Sequence, residues 1–202
     1  MATDHFEKRD LLPGQVDWNF NLIFAGDKDV VRMVEEYAPS LKHPGLHQPA
    51  PPEWLHATVL SMGTTEDYTE EEMLSVAEKV QLRVNELTLP EFSFDSWWML
   101  FGNVVFHISP DDEFTKLYDI VTTSLAEVVG NERVTKTPHG RYLPHSTFAY
   151  AKTHKNEREI IEQLNSSHVV PAHFRAKHMP LIRQWANDGH YEWEVVKPVN
   201  IP

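Results

Sequence analysis

Apolar and polar residues alternate most sharply in two stretches, 55–62 and 143–152, and period-two alternation of this kind predicts strands. In the first, Leu55, Ala57 and Val59 fall on one face, and His56 and Thr58 on the other. A strand between an apolar core and a polar cleft has this pattern. Elsewhere the pattern predicts a strand over 18–25. A helix over 29–38 follows, with Val30, Val31, Met33, Val34 and Tyr37 as its apolar stripe. Thr69 and Glu72 have the spacing of a capping box opening a helix to about residue 87, striped by Met73, Ala77, Val80, Val84 and Leu87.

Two further strands, 92–101 and 104–108, read as a hairpin turning at Gly102-Asn103. Ser109-Pro110-Asp111-Asp112 reads as a helix start, with Ser109 as the cap, and Gly130 as the stop. A short helix over 157–165 and strands over 174–185 and 190–196, joined at Asn187-Asp188-Gly189, complete the chain. The proline-rich stretch 39–52 is the most loop-like segment. This order predicts an α+β fold of two lobes, with antiparallel or mixed sheets around a central cleft and helices outside. Each lobe carries one strand with a His-x-Thr triplet.

At 202 residues the chain fits one bilobal domain, spanning 1–202 with 1–17 as an N-terminal extension. Its formal net charge of −12 argues against extended binding along a nucleic-acid duplex, which needs many Lys or Arg contacts to phosphate. A small phosphorylated ligand in a local pocket remains open. With no cysteine, disulfides, thiolate nucleophiles and cysteine-based zinc sites are excluded. The polar N-terminus has no signal-like apolar region and no run approaches the ~20 residues of a membrane span, so a soluble cytoplasmic protein is expected.

The chemistry rests on His56-Ala57-Thr58-Val59 and His145-Ser146-Thr147-Phe148. Residues i and i+2 of a strand project from the same face, so each triplet sets an imidazole beside a hydroxyl. If the two strands lie together, two imidazoles and two hydroxyls face one cleft. That set suits phosphoryl chemistry, with one acid, one base and two donors to phosphate oxygens. A third triplet, His107-Ile108-Ser109, is set aside because Ser109 is better used as a helix cap. Trp97, Trp98 and Trp185 read as packing residues rather than base-stacking platforms. The remaining histidines have no metal-ligand spacing, so neither a metal nor a cofactor is expected.

The two motifs, in Trp54-Leu55-His56-Ala57-Thr58-Val59 and Leu143-Pro144-His145-Ser146-Thr147-Phe148, resemble those of the two-histidine (2H) phosphoesterase superfamily, in particular its 2′-5′ RNA ligase-like branch. The stretch from Leu181 to Trp193 is similar to that family's C-terminal hairpin. The resemblance implies a metal-independent phosphodiesterase acting on a 2′,3′-cyclic phosphate or a related small nucleotide or RNA-end phosphodiester, with the reverse ligation open to the same groups. It makes His56 and His145 catalytic, and Thr58 and Thr147 phosphate-binding. Many members carry an arginine where this chain has Tyr150; Arg141 or Arg183 is the expected substitute. Imidazole, with its ordinary pKa near 6.5, suits both proton transfers, so both limbs of a pH profile are expected near neutrality. Two alternatives stand beside this reading: a non-catalytic binding module for nucleotides or RNA ends, and a histidine-ligated metalloenzyme.

Overall fold

In the computed structural model, residues 4–8, 14–134, 142–153, 157–167 and 170–202 are described. Their order is α1 (His5–Lys8), β1 (Asp17–Ile23), α2 (Lys28–Leu41), β2 (His56–Thr64), α3 (Glu70–Val84), β3 (Phe92–Leu100), β4 (Asn103–Ser109), α4 (Asp111–Val129), β5 (His145–Ala149), α5 (Glu157–Asn165), β6 (His173–Phe174), β7 (Leu181–Asn187) and β8 (His190–Lys197). The strands form two four-stranded sheets, β2-β1-β7-β8 and β5-β4-β3-β6. All their pairings are antiparallel, so the α+β expectation holds without any mixed sheet.

One hydrophobic cluster underlies both sheets. Trp18, Phe20 and Leu22 of β1 and Ala57 and Met62 of β2 share it with Phe94 of β3 and Phe106 and Ile108 of β4. Helices α2, α3 and α4 close it through Met33, Val34, Met73, Val80, Leu117 and Val121. Each such side chain removed from water contributes about 1.5–3 kcal/mol. The apolar stripes of the helices and the apolar strand faces therefore cover one another. The opposite faces, carrying His56, Thr58, His145 and Thr147, are left to build a site.

Local chemistry explains where the elements begin and end. Thr69 and Glu72 form the expected capping box: Thr69 Oγ1 accepts from the Glu72 amide at 3.2 Å, and Glu72 Oε2 from the Thr69 amide at 2.9 Å. The β7–β8 turn is Asp188-Gly189, both at positive φ, as a two-residue type I′ hairpin requires. The β3–β4 turn lies one residue earlier than expected, at Phe101-Gly102, because Asn103 is taken into β4 opposite Leu100.

Two expectations are corrected. Ser109 is not a helix cap: it is the last residue of β4, paired with Ser93, and Pro110 precedes α4 with no side-chain capping bond. The strand expected over 174–185 is divided. Phe174 pairs with Phe92 in the second sheet, whereas β7 begins at Leu181, after Pro180, and pairs with β1 in the first. The chain thus crosses between sheets inside what reads as one strand. Among the described residues, no helix is long and apolar enough to cross a membrane.

Candidate active site

The two motif strands are edge strands of different sheets, and they lie against each other. Ahead of β2, the loop runs antiparallel to β5 and its continuation: the amides of Ala50, His47 and Lys152 donate to the carbonyls of Phe148, Tyr150 and Gly45, each at 2.8 Å. The Ser146 hydroxyl donates to the His56 carbonyl at 2.6 Å, and the Tyr142 hydroxyl to the Thr58 carbonyl at 2.6 Å. Buried hydrogen bonds thus sew the histidine-bearing ends of the strands together, although the strands belong to separate sheets.

The imidazoles are held in the same way. His56 Nδ1 lies 2.9 Å from the Trp54 carbonyl, and His145 Nδ1 lies 2.7 Å from the Leu143 carbonyl, in each case two residues back along the chain. A carbonyl only accepts, so each Nδ1 carries the proton, and Nε2 of the neutral ring holds the lone pair. Two rings thus have the tautomer fixed that general acid–base work requires.

Their surroundings differ. His56 is 8 % exposed, against the edges of Trp193 and Tyr191, with ring centroids 5.0 and 6.3 Å away. Because β1 and β7 separate β2 from β8 in the sheet order, the first sheet must curl for these rings to meet. Burial pushes the His56 pKa down to about 4; the hydrogen bond to Trp54 opposes this, and the neighbouring His145 adds to it. The near-neutral value expected for both histidines is therefore corrected for His56. His145 is half-buried.

Thr58 and Thr147 are half-buried on the same strand faces as their histidines. Arg183 is not brought to this face. It pairs with Trp18 across β1 and lies 5.8 Å from the Trp18 ring, with Glu194 at 2.7 Å and Glu70 at 3.6 Å. Trp18 belongs to the helix-covered core, so the arginine expected at a phosphate is turned to the opposite side of the sheet. Arg141 lies outside the described residues. Tyr150 is buried among rings instead, 4.8 Å from His5, 5.1 Å from Phe6 and 5.4 Å from Tyr191. The short helix α1 thereby reaches the aromatic wall beside His56.

Sequence reasoning missed several polar residues here. Asn21, fully buried and paired with Thr58 across β1–β2, donates to Gln184 Oε1 at 2.7 Å, while its own Oδ1 has no hydrogen-bond partner among the described residues. The signal was present: Asn19 and Asn21 alternate with Trp18, Phe20 and Leu22, which gives β1 a polar face as well. His107, set aside earlier, is the cross-strand neighbour of His145. Among the described residues, no group of three or more acidic or histidine side chains is arranged to hold a metal ion.

Two antiparallel sheets that bring paired His-x-Thr triplets together define a two-histidine phosphoesterase fold. The family model of the 2′-5′ RNA ligase superfamily matches residues 28–188, and the chain belongs to that superfamily. It is similar in fold to TT0787 of Thermus thermophilus, with a TM-score of 0.65 at 18% identity, covering 93% of this chain and 97% of that one. It is similar too to E. coli LigT in apo form, with a TM-score of 0.60 at 12% identity, covering 93% and 98%. A structure of LigT complexed with 3′-AMP matches equally, with a TM-score of 0.60 at 12% identity, covering 93% and 98%. No curated protein sequence matches the chain significantly.

Proposed function

We propose that the protein is a metal-independent phosphodiesterase that opens a 2′,3′-cyclic phosphate, or a related small nucleotide or RNA-end phosphodiester, by two-histidine acid–base catalysis. The observation carrying this reading is the matched pair of imidazoles, each with Nδ1 committed to the carbonyl two residues back, on strands joined by the Ser146–His56 bond. His56, buried and hence neutral at pH 7, takes the proton from the attacking water. His145, the more exposed ring, enters protonated and donates to the leaving ribose oxygen. The Thr58 and Thr147 hydroxyls donate to the non-bridging oxygens as charge gathers there. Bound phosphate favours the charged form of any nearby imidazole, which keeps the acid protonated. With a ribose 5′-hydroxyl in place of water as the nucleophile, the same groups would join RNA ends.

The relatives agree with this class of ligand. LigT has been crystallised with phosphate, 3′-AMP, ATP and NADP+. The test is turnover of a panel of 2′,3′-cyclic nucleotides, cyclic-ended oligonucleotides and ADP-ribose cyclic phosphate in the presence of EDTA. Hydrolysis of at least one member supports the reading. Binding without turnover across the panel would instead favour a non-catalytic binding module.

A further inference from the structure

Trp97 and Trp98 point to opposite faces of β3. Trp97 packs with its neighbour Met99 against the helix-covered core, while Trp98 lies outside that cluster. Across the sheet Trp98 is opposite Val105 of β4, and Val105 is opposite Thr147 of β5. One row later, His107 is opposite His145. Trp98, Val105, His107, His145 and Thr147 therefore share the face on which the two catalytic motifs lie. Trp97 packs on the helix-covered core, and Trp98 does not.

The indole of Trp98 is half-buried and rests against the His107 ring, with centroids 5.4 Å apart and planes tilted by 44°. His107 is itself clamped at both nitrogens: Nδ1 lies 2.9 Å from Asp95 Oδ1, and Nε2 lies 2.6 Å from Asp111 Oδ1. A ring fixed at both ends cannot swing away, so it gives Trp98 a rigid support. Pre-organised aromatic surfaces of this kind bind flat ligands at low entropic cost. Two strand spacings, about 10 Å, separate Trp98 from Thr147 along the sheet. This is the scale of the span from the phosphate to the base of a single nucleotide.

We infer that Trp98, backed by His107, is the nucleobase platform of this site: a nucleoside phosphate with its phosphorus at Thr58 and Thr147 lays its base on the Trp98 indole. The inference rests on the phosphate site of the proposed function and adds that the ligand is a nucleotide rather than any small cyclic phosphate. Stacking accepts every base, because each has a π-face. The surrounding carboxylates of Asp95 and Asp111 disfavour a second phosphate on the Trp98 side, so the base to be stacked belongs to the terminal nucleotide.

The test compares binding of 3′-AMP with binding of glycerol 2-phosphate, a secondary-alcohol phosphate lacking a base, by calorimetry on the full chain. The wild type is expected to prefer the nucleotide on the order of tenfold or more, as one stacked base supplies. Trp98→Leu should erase most of that preference, while Trp98→Phe, which restores a ring, should recover much of it. Equal affinity of the wild type for both phosphates, or a preference that survives in folded Trp98→Leu, overturns the inference. The outcome is separable from the catalytic reading. A Trp98-dependent preference without turnover of any cyclic nucleotide removes the phosphodiesterase and keeps the platform. Turnover without base preference does the reverse.

Discussion

The Ser146 hydroxyl donates a 2.6 Å hydrogen bond to the backbone carbonyl of His56, so the residue between the second histidine and its threonine anchors the first histidine. Ser146 is 1 % exposed, and its side chain points to the side of β5 opposite His145 and Thr147. One triplet thus faces both ways, with His145 and Thr147 on one side of β5 and a structural hydroxyl toward the partner strand.

Ser146→Ala should therefore destabilise the protein by about 1–3 kcal/mol, since it leaves a buried carbonyl unsatisfied. It should also lower kcat more than KM, because the carbonyl it releases belongs to His56, the proposed base. Thermal unfolding with steady-state kinetics checks both. Loss of stability with unchanged kcat would make the bond purely architectural.

The depressed His56 pKa makes a stability prediction whose sign is fixed. Folded His56 titrates at about 4, and an unfolded histidine near 6.5. Between these values the unfolded chain takes up a proton that the native state refuses. The contribution is fully present above pH 6.5 and is lost as the pH falls toward 4, by about 3 kcal/mol in total. Denaturant unfolding of wild type and His56→Asn at pH 7.5 and 4.5 measures it. The variant should lose markedly less stability between the two conditions.

Much of the site was legible in the sequence because strand alternation fixes which side chains share a face. His56 with Thr58, and His145 with Thr147, needed no tertiary information. What alternation along one strand cannot give is the register between strands. That register decided that His107 stands beside His145, that Arg183 meets Trp18 and Glu194 away from His56 and His145, and that Trp98 shares the face of Thr147 while Trp97 faces the core. The misplaced cap at Ser109 has the same origin: a local capping signal lost to a long-range strand pairing with Ser93. The low pKa of His56 was hidden too, since the burying rings of Tyr191 and Trp193 lie far along the chain and reach it only through the curl of the first sheet.

Thr58→Val and Thr147→Val should each reduce kcat/KM by about tenfold, the scale of one hydrogen bond to a charged oxygen, and less than loss of either histidine. Arg183→Ala should leave kcat/KM within about twofold of wild type, as expected for a partly exposed ion pair on the far face. Parallel kinetics on one cyclic nucleotide checks all three. A large loss in Arg183→Ala would return that residue to the phosphate.

The kcat/KM profile should be bell-shaped, with its acid limb near pH 4 set by His56 in the free enzyme rather than near neutrality. Replacing water by heavy water should shift both limbs without removing either. A monotonic profile would mean that two titrating groups do not act together.

The most direct test of the central claim is hydrolysis of a 2′,3′-cyclic nucleotide in EDTA by the wild type, His56→Ala and His145→Ala, with inorganic phosphate as competitor. Two-histidine catalysis predicts turnover unaffected by chelation, competitive inhibition by phosphate, and a fall of roughly 10²–10⁴-fold in each variant while the fold persists. Activity that vanishes with EDTA and returns with zinc, or variants that turn over at wild-type rates, would contradict it.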